Sequence, residues 1–126
     1  MQPAIWDPAE TISREKMEQL QVERLRDCVR RVQEKVPFYQ ERLSGFEPAS
    51  IQSLADLARL PFTHKQDLRD NYPFGLFAAP MADVIRIHAS SGTTGKPTVV
   101  GYTANDIDVW AGLAARALSL AWVTRD

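Results

Sequence analysis

The chain has 126 residues, of which 44% are hydrophobic and 25% charged, the proportions of a folded globular chain and not of a disordered one. Its formal net charge of -1 lacks the basic excess that draws a protein to nucleic acid or to an anionic membrane. The most apolar stretch, Trp110 to Val123, is too short to span a bilayer and carries Arg116. The opening MQPAIWDPAE has no signal-peptide pattern, and the lone Cys28 has no disulfide partner within the chain, so a cytoplasmic protein is expected.

Ser13 opens the first long helical pattern. Met17, Leu20, Leu25, Cys28, Val29, Val32 and Val36 recur at near-helical spacing, with charged and amide residues between them. Ser13 is placed to cap this helix, and Glu15 sits in the first turn, where the helix dipole favours an anion. Cys28 is expected to pack on the apolar face, and the Arg and Glu residues to form a solvated face with i,i+4 pairs. Pro37 ends or resets the helix, since proline lacks the donor an interior turn needs. A short helix through Phe38 to Leu43 is expected next, closed by Gly45.

Ser53 begins another piece, with Leu54, Leu57 and Leu60 on one face and Asp56 at the capping-box position, stopped by Pro61. Thr63 and Gln66 read as a T-x-x-Q capping box for a short helix ending near Asn71; His64 falls in its first turn with no function assigned to it. Tyr72 to Pro80, YPFGLFAAP, reads as an irregular segment in which Tyr72, Phe74 and Phe77 pack into the core. Then the character changes. Val84 to Ala89 is rich in β-branched residues and reads as a strand, with His88 as a structural histidine near its end. A second strand is expected over Pro97 to Tyr102. Thr103 and Asp106 form a capping box for a last helix, whose apolar side carries Ile107, Trp110, Leu113, Ala114, Ala117, Leu118 and Ala121. Trp110 and Trp122 are expected in a core or an interface.

The organisation is therefore a helical region over residues 1–71 and a β-loop-β-α unit over residues 72–126. Two strands and one helix do not close a sheet, which marks the chain as the beginning of a larger α/β domain or as one needing a partner to cover its edges.

The informative run is Ser90-Ser91-Gly92-Thr93-Thr94-Gly95-Lys96-Pro97. Two glycines let the backbone approach an anion closely and take up positive φ without a Cβ clash. Successive backbone N–H groups in such turns form an anion-binding concavity. The hydroxyls of Ser90, Ser91, Thr93 and Thr94 can donate to phosphate oxygens, and Lys96 adds a mobile positive charge. The run is not a Walker A loop: Ser90 stands where that motif has its first glycine, and Pro97 follows the lysine where it has Ser or Thr. Pro97 also leads into a strand, whereas Walker A opens a helix.

Strand, SSGTTGKP and strand together resemble the signature of the adenylate-forming enzymes, which include acyl-CoA synthetases, peptide-synthetase adenylation domains and luciferases. Within them HASSGTTGKPTVVGYT, from His88 to Thr103, looks most like the phenylacetate-CoA ligase family. The stretches VPFYQERL, LARLPFTHKQDLRDNYPFGLFA and WDPAE resemble the N-terminal region of the same family, so the likeness spans nearly the whole chain. Thr98 stands where many members of the superfamily carry a lysine, and Lys96 precedes the proline; this arrangement is similar to the phenylacetate-type branch.

The resemblance implies an α/β fold in which this chain forms the helical N-terminal region and the first β-loop-β-α unit. It implies a two-step ligase using ATP with Mg²⁺ and coenzyme A: an aryl acid, phenylacetate, becomes an acyl-adenylate and is then transferred to the thiol. Ser90, Ser91, Gly92, Thr93, Thr94, Gly95 and Lys96 would hold the phosphates. The family's catalytic, adenine-binding and lid residues would all lie past Asp126, so the chain alone is expected not to turn over; no substrate-binding or metal residue is assigned in it. The implied partners are small molecules, neither nucleic acid nor membrane, with a homodimer open. Two other readings stay open: a related ligase for another aryl acid or a deazaflavin-type coenzyme, and a non-catalytic module that dimerises or docks through its first helix.

Overall fold

Residues 5–91 and 95–121 are described by the computed structural model of the chain. Ser13 adopts extended backbone and its hydroxyl accepts from the Lys16 amide, which starts α1 (Arg14–Lys35). The helix stops at Val36, whose successor Pro37 becomes the first residue of α2 (Pro37–Arg42), where a missing N–H costs nothing. Starting at the proline, α2 lies one residue earlier than the expected Phe38 to Leu43. Gly45 completes the reversal at φ +76°, a conformation other residues rarely adopt.

The core lies in this first part. Val22 and Val29 of α1 meet Leu43 and Ile51, flanked by Leu25, Val32, Tyr39, Phe46, Leu54 and Leu60. Val36 and Ile51 are fully buried, worth about 1.5–3 kcal/mol each against exposure. Gln33 and Arg26 of α1 reach across to the loops, donating to the Leu43 and Phe46 carbonyls and to the Ile51 carbonyl respectively. Cys28 is exposed, contrary to the expected packing. The elements packed on α1 cover the Val22–Val29 side, and Cys28 falls just off that stripe. The solvated face carries the expected i,i+4 pair, Arg14–Glu18, and an i,i+3 pair, Arg30–Asp27.

Leu54–Arg59 is a 3-10 helix with the expected Ser53/Asp56 capping box. Asp56 accepts from the backbone N–H of Gln52 and Ser53 and from Arg59, which together hold its pKa at about 2. The following helix, α3 (Lys65–Asp70), corrects the expected cap. His64, not Thr63, precedes it, and Asp67 accepts from the His64 amide at 2.7 Å. The Thr63 hydroxyl is instead engaged with the Tyr39 hydroxyl at 2.6 Å, and Gln66 donates to Asp70.

Two antiparallel strands follow, β1 (Val84–Ala89) and β2 (Val99–Thr103), the latter beginning two residues later than Pro97. Ile87 faces Gly101, His88 faces Val100 and Ala89 faces Val99, with a bulge between Val84 and Arg86. Thr103 ends β2 and caps α4 (Ala104–Leu120) through the expected box with Asp106, whose carboxylate is held below its ordinary pKa chiefly by the Thr103 amide. Phe77 lies against Gly101 of β2, while on α4 Trp110 stacks on Tyr102 at 5.6 Å.

Long-range contacts among the described residues tie this unit back: Arg116 of α4 pairs with Glu10 at 3.1 Å, and Arg31 donates to the Ala78 carbonyl. The expected core roles of Tyr72 and Phe74 are not realised, since both are exposed, and Phe77 is half-buried; Trp110, expected in a core or an interface, is exposed and so not in the core. Leu113 and Leu118 are more than half exposed as well. The physical reason is that a two-stranded sheet has too little surface to cover the apolar side of a 17-residue helix. Trp122 lies outside the described residues. Among those described, no helix is long and apolar enough to cross a membrane.

Candidate functional site

The loop joining β1 to β2 has a closed neck. Strand pairing runs one step beyond Ala89–Val99: the Ser90 amide donates to the Thr98 carbonyl at 3.0 Å. The Thr98 amide returns a bond to Ser90 Oγ at 3.0 Å, and Thr98 Oγ1 donates to the same oxygen at 2.9 Å. Three hydrogen bonds therefore join two residues, and the seven residues between them are left to form the loop. The candidate residues Gly92, Thr93 and Thr94 lie outside the described residues.

Of the others, Ser91 is exposed. Gly95 sits at φ +131° with open space where a Cβ would be, so its backbone conformation and not crowding requires glycine. Lys96 projects its ammonium over the Tyr72 ring, 5.9 Å from the centroid, within cation–π range. That contact draws the irregular segment before β1 to the loop, and it brings in a residue expected from sequence to pack in the core.

From sequence Thr98 stands out only as a mark of the phenylacetate-type branch within the second strand, and its bonds to Ser90 were not expected. The available signal was register: the residue opposite Ser90 is a β-branched hydroxyl, and paired hydroxyls across strands are a recurring stabilising contact.

His88 stands beside the loop in an aromatic group. Its ring is 5.0 Å from Tyr102 and 5.8 Å from Trp110, both edge-on. It is exposed, so it is not a core histidine; it belongs to the group that fastens α4 to the hairpin. Alternation along a strand puts Ser90, Thr98, His88 and Tyr102 on one sheet face, while Gly101 and its Phe77 neighbour take the other.

Two open clefts exist elsewhere. One of about 1090 Å³ includes Cys28, Arg31, Phe77, Gly101 and Asp106 in its lining, and one of about 640 Å³ includes Arg30, Arg31 and Lys35. Neither includes a described residue of the loop. The clefts and the loop therefore occupy different places. Among the described residues no group of three His, Cys, Asp or Glu side chains could hold a metal ion.

No family model matches the chain. Curated proteins do. The chain is 58% identical over 114 residues to a phenylacetate-coenzyme A ligase of Thermus thermophilus. It is 52% identical over 120 residues to one of Pseudomonas putida, and 54% identical over 117 residues to one of Escherichia coli. These matches take in 89%, 94% and 91% of this chain, yet only 26%, 27% and 27% of the relatives. The chain thus spans about a quarter of the length of the curated relatives it matches. Among solved structures, a 2-hydroxyisobutyryl-CoA ligase in complex with 2-HIB-AMP and CoA superposes with a TM-score of 0.79 at 29% identity, over 94% of this chain and 28% of that one. An open conformation of the same ligase gives 0.76 over 86% of this chain and 26% of that one.

Proposed function

We propose that this chain, a relative of the phenylacetate-coenzyme A ligases along nine-tenths of its length, serves as the phosphate-holding portion of an ATP-dependent aryl-acid CoA ligase. The observation that carries the reading is the necked glycine- and hydroxyl-rich loop between β1 and β2, in a chain more than half identical to such ligases.

In the proposed reaction a carboxylate oxygen of the acid attacks the α-phosphorus of ATP, and pyrophosphate leaves with the electron pair of the broken P–O bond. The sulfur of coenzyme A then attacks the acyl carbon, and AMP leaves. The loop acts in the first step. Ser90, Ser91, Thr93 and Thr94 donate to the β- and γ-phosphates, Gly92 and Gly95 admit them to the backbone, and Lys96 neutralises charge that grows on the leaving pyrophosphate. Lys96 is available for this because its hold on Tyr72 is a single exposed cation–π contact, worth only about 0.5–1 kcal/mol. Mg²⁺ would arrive on the polyphosphate, held by phosphate oxygens and water.

Residues 1–71 would form a helical platform and residues 72–126 the start of the nucleotide-binding domain; the core cluster lying wholly before residue 71 supports that division. The acid is phenylacetate in this reading, on the strength of the relatives' names, and the compartment is the cytoplasm, where the free Cys28 thiol stays reduced. A homodimer through exposed apolar surface is compatible with it.

The test uses a chimera in which this chain replaces the matching segment of the Thermus thermophilus ligase. Phenylacetate-dependent ATP–pyrophosphate exchange is expected, and Lys96→Ala should lower it roughly ten- to hundredfold, since a charge-assisted contact contributes about 1.5–3 kcal/mol. A Lys96→Ala chimera that exchanges as well as its parent would remove the loop from the mechanism. Exchange with benzoate or indoleacetate but not phenylacetate would keep adenylation and overturn the substrate.

A further inference from the structure

We propose that Thr98 is the positioning residue of the loop: it occupies the acceptor sites of the Ser90 hydroxyl and thereby makes Ser90 a dedicated, pre-aimed proton donor to an oxyanion. The inference rests on the phosphate-loop reading and adds a residue and a selectivity to it.

A serine hydroxyl is ambivalent, with one O–H to donate and two lone pairs to accept. On Ser90 both lone pairs are taken, one by the Thr98 amide at 3.0 Å and one by the Thr98 hydroxyl at 2.9 Å. Only the O–H remains, and tetrahedral geometry leaves it a single direction. The backbone cannot swing away and undo this, because the Ser90 amide is itself bonded to the Thr98 carbonyl at 3.0 Å.

Three consequences follow. The rotor entropy that a free hydroxyl would lose on meeting a ligand is already spent in folding. Two donors feeding the oxygen polarise its O–H, because hydrogen bonds in a chain strengthen one another. Finally, an oxygen with no lone pair to spare does not ligate a cation. Ser90 therefore addresses phosphate oxygens and leaves Mg²⁺ to other ligands. Ser90 is exposed, so the proton has open access to a bound anion.

The test is carried out on the 126-residue chain, with inorganic pyrophosphate added in the absence of metal and the amide resonances of Ser90, Gly95 and Lys96 followed by NMR. Thr98→Val keeps the shape and removes only the hydroxyl donor; it should weaken pyrophosphate roughly three- to tenfold, the size of one neutral hydrogen bond. Thr98→Ser restores the donor and should bind within about twofold of the parent. In a Ser90→Ala background Thr98→Val should have no further effect, since the oxygen it serves is gone. Amide protection across β1 and β2 reports whether the hairpin survives. If valine disturbs it, Thr98→Ala against Thr98→Ser poses the same question with a difference of one oxygen atom.

Parent-like binding by Thr98→Val, or an equal loss with and without Ser90, overturns the positioning role while Lys96→Ala still reports on the phosphate reading. A parent chain that shows no response to pyrophosphate overturns both.

Discussion

Replacing Gly101 by alanine pits two effects against each other. In a strand, alanine normally gains over glycine by roughly 0.5–1 kcal/mol, because glycine loses more backbone entropy on folding. At this position a Cβ would lie 2.4 Å from Phe77 Cε2, 2.7 Å from Cζ and 3.1 Å from Cδ2. Carbon atoms pack at about 3.5–4.0 Å, so the ring would have to retreat by about 1 Å or more. Phe77 also packs against Phe74, with centroids 5.3 Å apart and the rings tilted by 49°, so the retreat disturbs a second ring. Overpacking of this kind costs about 1–3 kcal/mol, which exceeds the entropic gain, and the net change is destabilising. Urea unfolding of the 126-residue chain measures it. Phe77→Leu removes the colliding ring edge, so Gly101→Ala should be near neutral or stabilising in that background. An unchanged midpoint for Gly101→Ala alone, or the same loss in both backgrounds, would refute the claim that the ring and the missing Cβ share one space.

At other glycines the backbone conformation alone sets the sign. Gly45→Ala should destabilise by about 1–2 kcal/mol because φ is +76°, whereas Gly112→Ala, in mid-α4 with no atom within 4 Å of its Cβ, should stabilise by up to about 1 kcal/mol. For Asp56 the folded pKa lies near 2, below the ordinary 3.8. Its contribution is therefore present above the ordinary carboxylate range and lost as pH falls towards 2. Unfolding of Asp56→Asn, followed against pH, should lack that part of the acid loss; an identical acid limb would refute it. The exposed Trp110, Leu113 and Leu118 on α4 should make the chain self-associate, and Leu113→Glu should reduce the sedimentation-velocity species above monomer; a parent that stays monomeric at high concentration would count against this.

The residues alone determine the structure wherever the deciding interaction is local. Ser13, the Ser53/Asp56 box and the Thr103/Asp106 box start their helices as expected, because a side chain three residues from an orphan amide meets it whatever the rest of the fold does. The β1-loop-β2 arrangement and its resemblance to adenylate-forming ligases were legible for the same reason: β-branched runs flanking glycines, hydroxyls and a lysine in one short stretch need no distant partner to be seen. Where a distant residue competes, local pattern was not enough. Thr63 has a sound capping-box spacing to Gln66, but Tyr39 engages its hydroxyl and the cap passes to His64 and Asp67. Cys28 fits the helical period of α1, yet which side of that period is covered depends on where α2 and the following loops dock.

The loop divides along the same line. The glycines, hydroxyls and lysine on which the proposed phosphate role rests are plain in the sequence of Ser90 to Lys96. That Thr98 takes up the acceptor sites of Ser90, that Tyr72 holds Lys96 and that Phe77 demands a glycine at position 101 was decided only by tertiary structure. Each of those contacts joins residues eight or more apart in the chain, and strand register and segment packing, not spacing along the chain, bring them within reach.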